Sequence, residues 1–332
     1  MTDLSTKYLG IKLKNPIVAS ASPLCEDIGN IKQMEKSGIS AIVLHSLFEE
    51  QILLQEKELD YALTQGTEAY AESLSYFPDT DNYRFAPDEY IEYIAKVKKA
   101  VDIPIIGSLN GISNSGWIDY GKKIEDAGAD ALELNIYYLP TKKNVTGEYV
   151  ENNYIDLIKS IKKNIEIPIA VKLSPYFSSI PDIADKLAGE GADGLVLFNR
   201  FYQPDIDIVK MSITPDLELS SSSELRLRLR WVGLLYQKIK TDLAITGGIH
   251  TAEDIIKGIL AGANVTMITS ALLLKGISYI EELITDLEEW MRKSQYDSIH
   301  DIQGLLSHKN IKETDAFERA NYLKVLRSYR FE

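Results

Sequence analysis

Lys172 stands inside the apolar run of IAVKLSP, where an unpaired ammonium would be costly to bury. An anionic partner, supplied by a ligand or by a neighbouring carboxylate, is the cheapest explanation for it. Three amides close other apolar runs: Asn110 in IIGSLNG, Asn135 in ELNIYYLP and Asn199 in LVLFN. His45 ends AIVLH, and an unperturbed imidazole, with a pKa near ~6.5, is tuned for proton transfer near neutrality. A second kind of chemistry is offered by ITGGIHTAED and TMITSALL, in which Gly247, Gly248, Thr269 and Ser270 precede helix starts. Free backbone N–H groups and hydroxyls at such places suit a phosphate, and glycine lets the backbone come close. There is no GxGxxG after the first strand and no GxxxxGK[ST], which argues against a dinucleotide fingerprint or a P-loop. A group with one phosphate fits better, and FMN and a phosphorylated sugar substrate are the candidates.

These residues need a scaffold that brings strand ends together. Small-residue turns precede four apolar runs: SGI before AIVLH, AGAD before ALELN, EGAD before GLVLFN and AGAN before VTMITS. The glycine of each is a helix C-cap signal. NPIVASAS, IIGSLN, IAVKLS and LAITGG complete eight short, near-continuously apolar strands, the pattern of parallel strands covered on both sides. Eight βα units in this length predict a TIM (β/α)8 barrel, whose sites lie at the C-terminal strand ends. Read so, the mouth holds Ala19 and Ser20, His45 and Ser46, Asn110, Asn135, Lys172, Asn199 and Arg200, Gly247 and Gly248, and Thr269 and Ser270. One domain over 1–332 is expected, with long connections at about 47–101 and 202–223 and added helices at about 295–332. The second connection could form an extra hairpin.

The chain has 332 residues, 45% hydrophobic and 26% charged, with a net charge of -13, which argues against nucleic-acid and anionic-membrane surfaces. A single cysteine, Cys25, cannot form an internal disulfide, and no CxxC pair or HExxH offers a zinc or iron–sulfur ligand set of usual spacing. No apolar run reaches the ~18 residues of a membrane span. A cytoplasmic, unanchored protein acting on a small molecule is expected.

NPIVASAS, IIGSLNG, ALELN, AVKLSPYFS, LVLFN and ITGGIHTAEDIIKGILAGANVTMITSAL together resemble the dihydroorotate dehydrogenase family, in particular its soluble class 1 branch. The resemblance implies an FMN-binding barrel in which a bound dihydropyrimidine gives a hydride to the flavin while a side chain removes a proton. Ala19, Ser20, Ser46, Asn110, Asn135, Lys172, Gly247, Gly248, Thr269 and Ser270 would contact FMN. Lys172 would steady the charge of the reduced flavin, and Asn135 and Asn199 would orient the substrate. A homodimer is implied too, with fumarate, dioxygen or an electron-transfer partner as acceptor.

The departures fall mostly on the substrate side. The family's ELNLSCPN, whose cysteine is the base, reads ELNIYYLP here, with Tyr138 or Leu139 at the cysteine. His45 replaces a lysine, Ser73 falls near a substrate asparagine, Arg200 replaces a serine, and the serine run Ser220–Ser223 replaces glycines. His45 is the better-tuned base; Tyr137 or Tyr138 would act as acid, base or stacking surface, and Arg200 could hold a carboxylate. A barrel lyase or isomerase on a phosphorylated substrate, or a flavin-binding protein with altered catalysis, are the alternative readings.

Overall fold

The computed structural model describes residues 2–55, 86–111, 117–214, 217–319 and 321–328. Its strands are β1 (Thr6–Tyr8), β2 (Ile11–Leu13), β3 (Ile17–Ala19), β4 (Ala41–Val43), β5 (Leu47–Phe48), β6 (Ile105–Gly111), β7 (Ala131–Ile136), β8 (Ile169–Leu173), β9 (Gly194–Leu197), β10 (Asp205–Asp207), β11 (Ser212–Thr214), β12 (Asp242–Thr246) and β13 (Val265–Ile268). The order β4-β3-β13-β12-β9-β8-β7-β6, with β4 also paired to β6, closes a parallel eight-stranded TIM barrel made of the eight runs expected from the sequence. β5 extends the rim beside β6. Helices α1 (Ile28–Lys36), α2 (Pro87–Ala100), α3 (Trp117–Asp126), α4 (Gly147–Lys162), α5 (Ile180–Gly189), α6 (Leu225–Leu235), α7 (Ala252–Ala261) and α8 (Ser270–Lys275) alternate with the strands, and α9 (Tyr279–Lys293), α10 (Ile299–Ile302) and α11 (Asn321–Arg327) follow. Part of the first long connection is therefore the barrel helix α2, and β10 and β11 form a hairpin within the second.

The small-residue turns have a physical purpose. Gly38, Gly128, Gly191 and Gly262 all have φ between +93° and +122°, which ends each helix in a conformation that a side chain disfavours. The residue two places after three of these glycines then ties the next strand to its neighbour. Asp130 Oδ2 accepts the Ile105 N–H at 2.7 Å, Asp193 Oδ2 the Ile169 N–H at 2.9 Å, and Asn264 Oδ1 the Leu243 N–H at 2.9 Å. Lys98 and Lys162 offset the charge of the two aspartates at 2.7 Å.

The barrel interior is divided. At the N-terminal end the antiparallel β1–β2 hairpin inserts Tyr8, Leu9 and Leu13 against Val18, Val43, Ile106 and Val265, an apolar plug in which burying a side chain such as Leu9 is worth about 1.5–3 kcal/mol. The other end carries the polar residues. Among the described residues no helix is long and apolar enough to cross a membrane, and no group of three His, Cys, Asp or Glu could hold a metal ion.

Candidate active site

The C-terminal ends of β4, β6, β7, β8 and β9 surround a cleft of about 720 Å³. Strand register sets its floor. Asn110 on β6 pairs with Asn135 on β7, and Asn135 pairs with Lys172 on β8, so the three side chains stand in a row at one level of the barrel. All three line the cleft. Two residues before Asn135, on the same face of the strand, lies Glu133. Its Oε1 is 3.3 Å from Lys172 Nζ, and both side chains are buried. The carboxylate that the lysine's position demanded is thus a neighbour on the next strand. Glu133 itself stood as a charge in the apolar run ALELN, the same signal that marked Lys172, and sequence reasoning passed over it.

Asn199, just after β9, donates from Nδ2 to Asn135 Oδ1 at 2.8 Å, which fixes both amides on the cleft wall. His45 also lines the cleft, with its ring edge-on to Tyr90 at 5.0 Å and tilted against Tyr93 at 5.5 Å. Ser46 Oγ lies 2.8 Å from Ser108 Oγ. Arg200 reaches the same cleft, but its Nε sits 3.1 Å from Glu224 Oε2 and its Nη1 donates to the Glu218 carbonyl. A substrate carboxylate would share that guanidinium with Glu224. Ser73 lies outside the described residues.

Alternation past the end of β7 sends the two tyrosines of ELNIYYLP to different places. Tyr137 lines the cleft with its ring tilted against that of Phe201 at 4.2 Å, and Phe201 in turn lies 5.5 Å from Tyr176. Tyr138 lines a neighbouring cavity of about 470 Å³ with Tyr176, Phe177 and Phe201. Tyr202, unremarked in the sequence, borders both. Burial pushes the Tyr137 phenol up, away from the range that suits a base at neutral pH. Cys25 is buried in a 3-10 turn after β3, and burial pushes its thiol up to about 11, so it is a poor nucleophile.

The other side of the mouth is made from β3, β12 and β13. The Ser20 N–H donates to the Ile268 carbonyl at 3.0 Å and Thr269 Oγ1 to the Ser20 carbonyl at 3.3 Å, so Ala19 and Ser20 are stitched to the end of β13. Gly247 and Gly248 both have φ +83°. A Cβ on Gly248 would come within 2.6 Å of the Leu225 backbone nitrogen, and one on Gly247 within 2.9 Å of Nη2 of the buried Arg228. The Gly248 N–H donates to the Ser220 hydroxyl at 3.3 Å, that hydroxyl donates to Ser270 Oγ at 3.0 Å, and His250 Nε2 lies 3.1 Å from the same hydroxyl. A backbone N–H, two hydroxyls and an imidazole gathered at one place are groups that can each donate to a phosphate oxygen. The participation of Ser220 and His250 was not legible, because the loop before α6 meets β12 only in three dimensions.

Comparisons with known proteins find relatives of one kind. A family model described as dihydroorotate dehydrogenase matches residues 85–291. The chain is 29% identical over 310 residues to the dihydroorotate dehydrogenase B (NAD(+)), catalytic subunit, of Thermoplasma acidophilum, covering 92% of this chain and 99% of that protein. The protein of the same description from Methanocaldococcus jannaschii is 27% identical over 311 residues, with 91% and 97% covered. Dihydroorotate dehydrogenase A (fumarate) of Lactobacillus helveticus is 31% identical over 211 residues, 61% of this chain and 67% of that protein.

Proposed function

The chain belongs to the dihydroorotate dehydrogenase family, and from that membership and the shape of its mouth we propose that it oxidises dihydroorotate, or a related small dihydropyrimidine, at its CH–CH bond. It is an FMN-binding oxidoreductase acting on CH–CH groups, as the family is. The residues present fit FMN: the Gly248 N–H and the hydroxyls of Ser220 and Ser270, close together, suit its single phosphate, and the mouth also holds a roomy cleft that is polar along one wall. When bound, FMN supplies the hydride acceptor.

In this reading Gly247, Gly248, Thr269 and Ser270 hold the phosphate, while Ala19, Ser20, Ser46 and Asn110 border the rest of the cofactor. The cation of Lys172, buried at the cleft, would stabilise the negative charge that bound FMN gains on reduction, a preorganised contribution of the kind that counts most in a water-poor site. Asn135 and Asn199, already hydrogen-bonded to each other, orient the polar edge of the substrate. His45 would take the proton from one substrate carbon, and FMN, where bound, would supply the acceptor for the hydride of the neighbouring carbon, so that a carbon–carbon double bond results. Tyr137 serves as a wall for the ring, Tyr138 lies one residue outside it, and Arg200 stands at the rim. The observation that carries the proposal is the row Asn110, Asn135, Lys172 across three neighbouring strands, with the lysine buried.

Anaerobic visible absorbance tests it. L-dihydroorotate added to the FMN-loaded protein is expected to bleach the flavin band, and a band that stays yellow would remove dihydroorotate as substrate. Fumarate or NAD(+), named for the relatives, can then be added to the bleached sample, and return of the band would identify the acceptor.

A further inference from the structure

Glu133 does not line the cleft, yet it is buried directly behind a residue that does. Its Oε1 meets Lys172 Nζ at 3.3 Å, and its Oε2, also buried, accepts no hydrogen bond among the described residues. The strand neighbours add nothing that would offset its charge: in register Glu133 faces Ser108 on β6 and Ala170 on β8. Among the described residues a carboxylate so placed is answered by the ammonium of Lys172, and a buried polar atom left over in this way calls for a role. Its field reaches the floor of the barrel. Burial first, then Glu133 and then Asp242, push the Tyr8 phenol far up.

The consequence for Lys172 follows from Coulomb's law. A lone cation beside a cofactor that gains negative charge on reduction favours the reduced form; a carboxylate behind that cation takes part of the effect away. We infer that Glu133 is a positioning residue that ties the Lys172 ammonium to the barrel wall and offsets part of its charge, so that bound FMN is poised at a lower reduction potential than Lys172 alone would set. The inference rests on the placement of Lys172 against the cofactor proposed above.

The measurement is the midpoint potential of the FMN-loaded full chain, read by anaerobic reduction against a reference dye. Glu133→Gln, which keeps the shape and removes the charge, is expected to raise the reduced-to-oxidised ratio about tenfold at fixed poise, about 30 mV for a two-electron couple. Glu133→Asp, with the carboxylate drawn back by one methylene, falls between that variant and the parent. Lys172→Met moves the potential the other way. A Glu133→Gln potential that is unchanged or lower overturns the inference, including the case where only thermal stability drops, since a purely structural residue would do that and no more. If the Gln variant does not fold, Glu133→Asp decides in the same sense, a raised potential supporting the inference and an unchanged one overturning it. An unmoved Lys172→Met potential overturns the placement of Lys172 itself; a Lys172→Met shift beside an unmoved Glu133→Gln overturns the inference alone.

Discussion

The two sides of the barrel mouth are built from different materials. At β12 and β13 the functional groups are backbone N–H groups and short hydroxyls, held by glycines at φ +83° and by strand-to-strand hydrogen bonds. At β4, β7 and β9 they are longer side chains, His45, Tyr137 and Arg200, supported by aromatic neighbours and by an ion pair to Glu224. A site made of backbone can be altered only by changing the chain's path, so it suits a group that stays the same, such as a cofactor phosphate. A site made of side chains can be rebuilt one residue at a time on an unchanged barrel. Most departures from the family pattern, with His45 and Arg200 among them, lie on that second side, whereas Ser220 stands on the first.

The comparison breaks most readily at His45. Exchanging it for Asn is expected to slow anaerobic bleaching by roughly 10²- to 10⁴-fold, the usual range for a proton acceptor, with the flavin content of the purified protein unchanged. A loss under threefold would take the proton from His45 and give it to another group, whereas loss of flavin would place His45 on the cofactor side.

Gly248→Ala tests the backbone side. Left-handed strain of about 1–3 kcal/mol, and a Cβ against Leu225, should weaken FMN binding by roughly 10- to 100-fold in a titration of apoprotein by quenching of flavin fluorescence. The rate of bleaching at saturating FMN should change far less. If the affinity holds and the rate falls, the division between the two sides is wrong.

Cys25 marks where neither side extends. Its thiol is pushed up to about 11 by burial, so the fraction of thiolate grows with pH only through that range, and alkylation of the native protein at pH 8 should be much slower than that of an exposed cysteine. Cys25→Ser should leave the bleaching rate unchanged. Rapid native alkylation that also stops bleaching would return the cysteine to the chemistry.

Much of this was legible because the signals are local. Continuous apolar runs mark strands buried on both faces, glycines with positive φ mark helix ends, and a polar residue closing a run faces the mouth by the rule of the barrel. Lys172 shows both the reach of such reasoning and its limit. Its isolation among Ala170, Val171 and Leu173 announced an anionic partner, and the structure supplies Glu133, 39 residues earlier. Both carried the same mark, a charge within an apolar run, but nothing in either run says which strand lies beside which. Tyr137 and Tyr138 show the limit again, since adjacent residues face opposite ways and only the end of β7 at Ile136 decides which of them enters the cleft.

The sequence by itself determined the eight strands, the helix ends and the residue types gathered at the mouth, because each depends on a few consecutive residues and their preference for burial or for a backbone conformation. Tertiary structure alone decided that Glu133 meets Lys172, that Asn199 bonds Asn135, that Arg200 is shared with Glu224, and that Ser220 and His250 join Gly248 and Ser270. Those pairings depend on register and closure around the barrel, which join residues remote in the chain through contacts that no local preference encodes.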